Sequence, residues 1–216
     1  MVEINTKYKI GTRRFGYINW IGTYTLYKKE VLRFLIVWIK SIFSPLVSSL
    51  LFLMDLSLAL GSTREDVLGV PFITFLAPGL IAMQVIQQSF SHSSSSFMIS
   101  KIQGNIVDIL YAPLSAIEVT LAISLAAVTR SVMIAVISIF VFYLIIDFEI
   151  QNYLMLIIFT FLASFILGNI GIIAGLWAEK FDHMATVTNF VIIPLSFLSG
   201  TFYTIERLPD FLQKIS

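Results

Sequence analysis

The sequence contains no cysteine, so disulfides and thiolate metal sites are both excluded. It is also poor in charge: Asp, Glu, Lys and Arg make up 12% of its 216 residues, against about 25% in a soluble domain. A net charge of +1 leaves no basic surplus to draw the chain to nucleic acid. No G-x-x-x-x-G-K-[ST] loop occurs, so that device for cradling nucleotide phosphates is absent. No Ser/His/Asp set or pair of carboxylates suggests hydrolysis. The two histidines, His92 and His183, fall in separate segments with no carboxylate at ligand spacing. The chain is therefore expected to bind no cofactor or metal and to be no enzyme. The first sustained apolar run begins near Ser41, so no cleavable signal peptide is expected within the first ~30 residues.

What is present is apolar. Hydrophobic residues make up 57% of the chain, Phe occurs 19 times and the mean hydropathy is +0.90. A helix crosses a bilayer with roughly 20 apolar residues, because lipid offers its backbone no hydrogen-bond partners. Five segments qualify: 42–60, a stretch within 67–99 that has no Asp, Glu, Lys or Arg, 119–146, 153–178 and 184–202. The expected class is an all-α polytopic membrane protein, with an arm over 1–40 and a transmembrane domain over 41–216. Lys and Arg concentrate on the cytoplasmic side of membrane proteins. The arm carries Lys7, Lys9, Arg13, Arg14, Lys28, Lys29, Arg33 and Lys40, and Lys101 and Lys180 fall on the same side of the spans. The opposite side holds Arg64, Arg207 and Lys214, so a cytoplasmic N-terminus is expected.

The polar segments carry their own patterns. Trp20, Tyr24, Tyr27, Val31, Phe34 and Trp38 recur every three or four residues, with Lys28, Lys29, Glu30 and Arg33 on other faces. This predicts a helix in the membrane interface, its aromatics at headgroup depth, acting either as an anchor or as a connector that senses a cytoplasmic partner. Between the second and third spans, Ile102, Ile106, Ile109 and Leu110 predict a short amphipathic helix beside Lys101, Asn105 and Asp108. It either docks against another protein or rests on headgroups. Pro113 stops that helix, and Ser115 with Glu118 forms an S-x-x-E capping box for the third span. Leu208, Phe211, Leu212 and Ile215 predict a short interfacial helix after the fifth span.

Within the spans, Arg130 and Asp55 are the deep charges, with Asp55 a candidate partner for Arg130. The role is structural or part of a polar pathway. The serines from Ser89 to Ser96, and Gly168, Gly171 and Gly175, read as faces for close helix packing. The glycine face also has the makings of a protomer interface. His92 reads as a packed, hydrogen-bonded residue.

Several blocks stand in a specific order: Phe75 to Met83 with Pro78-Gly79, Ser93 to Phe97, Gln103 to Asp108, and Ala112 to Ser115. Phe197 to Tyr203 with Leu208-Pro209 follows. From about Phe43 onward the chain resembles the membrane subunit of bacterial type-2 ABC exporters, and within that family the small YadH-like permeases. The resemblance implies six spans, of which the sixth is absent here, and a connector helix at the N-terminus. It implies a cytoplasmic coupling helix carrying Lys101, Ile102, Gly104, Asn105, Ile106, Asp108 and Leu110, and an outer gate region at Ser199, Gly200, Phe202 and Tyr203. It further implies a second copy of the permease, a separate ABC ATPase that holds ATP and Mg²⁺, and residence in the bacterial cytoplasmic membrane. The alternative is a secondary transporter or channel with no ATPase, a class that often shows internal repeats and several intramembrane charges. No repeat is visible here.

Overall fold

A computed structural model describes residues 18–60, 69–146, 150 and 152–198. Among these residues the elements are all helical. Helix α1 covers Trp20–Ile36, α2 Ser44–Leu60, α3 Phe72–Ile102, α4 Ile106–Tyr111, α5 Ala116–Tyr143, α6 Tyr153–Trp177, α7 Phe181–Val187 and α8 Ile193–Leu198. Four runs are long and apolar enough to cross a membrane: Ile39–Leu58, Phe72–Ile102, Ala116–Tyr143 and Tyr153–Trp177. The expected fifth span begins as α7, a π turn and α8 over 181–198, and its remainder lies outside the described residues.

Local chemistry accounts for the element boundaries. Asn19 caps α1, its Oδ1 accepting from the Gly22 N–H at 2.9 Å. The capping box opens α5 as expected: the Glu118 N–H donates to Ser115 Oγ at 3.3 Å, and the Ser115 N–H donates to Glu118 Oε2 at 2.7 Å. Asn152 caps α6 through the Met155 N–H at 3.1 Å. Two π turns, Ile39–Phe43 and Thr188–Ile192, stand immediately upstream of Pro45 and Pro194. Proline lacks the donor for its helical bond and crowds the carbonyl four residues back, and a wider turn relieves both problems.

Helix α3 is the centre of the bundle, packing on α6, α5 and α2. It runs parallel to α6 and antiparallel to α5, since its Lys101 end meets the last residues of α6 and its middle meets that of α5. The glycine face of α6 seats on the serine face of α3. A Cβ on Gly171 would lie 2.5 Å from the Phe90 carbonyl oxygen, and one on Gly175 would lie 2.8 Å from that of Ser94. These glycines are therefore taken up by packing inside the chain, as their close-packing reading expects, which leaves them unavailable for a protomer interface. Away from the Lys101 end, Pro78 lies within the continuous α3 and larger side chains replace the glycines of α6. There α3 and α6 part around a cleft of about 590 Å³ lined by Pro78, Ile81, Val85, Met155 and Phe159, among others. The main apolar core also lies at that end, where Leu53, Leu76, Leu80, Ile81 and Phe142 meet.

Helix α1 runs alongside the start of α5. Asn19 meets Pro113 and Glu118, and the Tyr27 hydroxyl and Thr129 Oγ1 lie 2.9 Å apart. From Glu118 to Thr129 is about 16 Å of helix at ~1.5 Å per residue, so α1 follows α5 for much of its own length. Its outward side carries Trp20, 70% exposed, with Tyr24.

Candidate functional site

At the Lys101 end, α1 and α4 enclose a groove of about 400 Å³. One wall is Ile21, Gly22, Thr25, Leu26 and Lys29 of α1; the other is Asp108, Ile109, Ala112, Pro113 and Leu114. Several contacts fix these walls. Gly104 takes φ +74°, a left-handed turn that lets the chain reverse between α3 and α4. The Glu118 carboxylate accepts the Ser115 N–H through Oε2 and the Asn19 N–H through Oε1, so one side chain pins the starts of α5 and α1 together. Asn19 Nδ2 adds a bond to the Pro113 carbonyl at 3.1 Å. A Cβ at Gly22 would meet the side-chain ends of Leu114 and Asn19, Cδ2 and Nδ2, each at 2.7 Å, so those two side chains would have to shift.

The residues singled out around α4 separate into different positions. Lys101 and Ile102 form the last turn of α3, not part of the short helix. Lys101 Nζ donates to the carbonyls of Gly175 and Ala178, each at 2.9 Å, and to that of Leu176. It closes the C-terminus of α6, where the carbonyls have no helical partners. Ile106 packs beside Phe97 and Ile123, and Ile109 is buried, so these two face the bundle. The expected apolar face of α4 is thus divided. Its outward side is Val107, Leu110 and Tyr111, the last two 73% and 85% exposed. Val107 and Tyr111 were not among the expected coupling residues, although their spacing with Leu110 places all three on one face. Asn105 is exposed at the turn, its Nδ2 3.4 Å from Gln103 Oε1.

Charges meet inside the bundle where α1 reaches α3. Glu30 is 1% exposed, so it belongs to the buried face of α1 with Leu26 and Phe34, not to a separate polar face. Its Oε2 accepts from Arg33 Nε at 3.0 Å, and Arg33 Nη2 donates to the His92 carbonyl at 3.1 Å. His92 is packed as expected, edge-on to Phe34 with centroids 5.7 Å apart, but neither ring nitrogen has a hydrogen-bond partner. Arg130 Nη2 donates to Gln88 Oε1 at 2.7 Å. Asp55 is exposed on α2 and is not the partner of Arg130. Among the described residues no three His, Cys, Asp or Glu side chains gather to hold a metal. Ser199, Gly200, Phe202 and Tyr203, expected to form an outer gate, and the tail from Leu208 lie outside the described residues.

Residues 21–216 match the family model described as "ABC-2 type transporter". The chain is 26% identical over 200 residues to the inner membrane transport permease YadH of Escherichia coli strain K12, covering 93% of this chain and 78% of that protein. The YadH protein of Shigella flexneri matches to the same extent. No solved structure matches the chain.

Proposed function

This chain belongs to the ABC-2 type transporter family, and on that premise we propose that it is the membrane permease of an ATP-driven exporter. ATP and Mg²⁺ are bound by a separate ABC ATPase subunit, and this chain binds neither. Two copies of the permease form the route, in the bacterial cytoplasmic membrane where the similar YadH proteins are named as residing. The Lys101 end faces the cytoplasm, supported by the clustering of Lys and Arg on the arm, Lys101 and Lys180.

One observation carries this reading: Val107, Leu110 and Tyr111 stand exposed on α4 beside the α1 groove. A single turn-and-a-half of helix with a large aromatic and two aliphatics facing out is a docking surface rather than a packed element. Tyrosine is over-represented among the residues that dominate interfaces. ATP-driven closure of the ATPase pair would press on α4 and α1 together. Because α4 joins α3 directly to α5, that pressure reaches two spans at once.

The test is co-purification with an ABC ATPase encoded beside the permease. Wild type is expected to form the complex, and Leu110→Ala with Tyr111→Ala is expected to weaken it by about 2 kcal/mol or more, some thirtyfold in affinity. A wild-type chain that forms no complex, or a double variant that binds as wild type does, contradicts the proposal.

A further inference from the structure

The docking groove leaves the buried charges unused, and their geometry is unbalanced. His92 Nε2 lies 3.9 Å from Glu30 Oε2, beyond hydrogen-bond range. Both ring nitrogens of His92 and the Nε of Arg130 are buried without partners. Buried polar groups are nearly always satisfied, so each exception needs a reason. Here an acceptor stands just out of reach. A slide of α1 against α3 by about 1 Å, within the usual range of helix shifts, would let the Glu30 carboxylate accept from His92.

The connectivity gives such a slide a path. The first half of α1, through Leu26 and Lys29, lines the groove, and Glu30 is the next residue along. His92 and Gln88 are one turn apart on α3, and Gln88 holds Arg130 of α5. We infer that Glu30 is a positioning residue. It pairs with Arg33 in the arrangement seen here and moves onto His92 when the groove is occupied, so that displacement of α1 is passed to α3 and α5. This rests on the reading of the groove as the ATPase site.

The absence of native cysteine allows paired spin labels to report it. One pair, Tyr24→Cys with Ile102→Cys, reads α1 against the Lys101 end of α3. The other, Leu58→Cys with Tyr143→Cys, reads the opposite end; all four positions are exposed. Distances are measured in the permease–ATPase complex, without nucleotide and with ATP trapped by vanadate. In the wild-type background both pairs are expected to shift by about 1–2 Å. With Glu30→Gln the first shift is expected to persist and the second to vanish. Should that variant fail to assemble, His92→Phe, which leaves the Glu30–Arg33 pair in place, is read for the same split. Loss of both shifts in an assembled complex, or of neither, overturns the role of Glu30, as does a wild-type complex in which only the first pair moves. A wild-type complex in which neither pair moves contradicts the exporter reading itself.

Discussion

At Gly171 there is no room for a methyl group: its added carbon would sit 2.5 Å from the Phe90 carbonyl oxygen, a backbone atom that cannot swing aside. Overpacking of this kind costs typically about 1–3 kcal/mol. Gly171→Ala is therefore expected to lower the thermal midpoint of the purified protein. Gly168→Ala is expected to lower it less, because its nearest neighbour is the Ala127 methyl at 3.3 Å. Gln88 presents the opposite problem. It is the acceptor for Arg130, and hydrogen bonds to charged groups contribute about 1.5–3 kcal/mol. Gln88→Leu is expected to destabilise the fold by that amount, and adding Arg130→Leu is expected to restore part of the loss by removing the stranded charge. A double variant no more stable than Gln88→Leu alone would show that the pair does not matter.

At the scale of elements, what was readable depended on whether the signal was local. The fourth span was expected at 153–178 and is found at Tyr153–Trp177, because an unbroken apolar run and its flanking Asn152 specify both ends. The Ser115–Glu118 box was equally plain, since both partners lie within one turn. The rotation of α4 was not. Which side of a six-residue helix is buried depends on Phe97 of α3 and Ile123 of α5, and periodicity within the segment cannot choose between faces that are both apolar. The burial of Glu30 was hidden for a related reason: its surroundings include His92, sixty-two positions away in sequence. Glu118 combines both kinds of information. Its local role was legible, while its bond to Asn19 spans 99 positions. Glu118→Ala is accordingly expected to release the first turn of α1 while α5 stays formed. Hydrogen exchange should quicken at residues 20–24 and not in the middle of α5; protection at 20–24 equal to that of the wild type would refute that link.

For the whole molecule, the bundle divides its labour along its length. The Lys101 end is tied by glycine–serine contacts, by Lys101 on the α6 carbonyls and by Glu118 across α1 and α5. The opposite end holds the larger apolar core and the cleft between α3 and α6. A tightly tied end suits the transmission of force, and a parted end suits movement of the spans. The sequence pattern disclosed the membrane class, since that depends on composition summed over long segments. It did not disclose how tightness is distributed, because that follows from which small residues meet across helices.

Docking of a cytoplasmic ATPase requires α4 to face the cytoplasm. The most direct test places a single cysteine at Tyr111 of the otherwise cysteine-free chain and treats it with a membrane-impermeant maleimide. Labelling is expected in inverted membrane vesicles and not in intact cells, with added ATPase subunit protecting the site. Labelling of Tyr111→Cys from outside intact cells would put α4 beyond the reach of any cytoplasmic ATPase and rule out the coupling role of that helix.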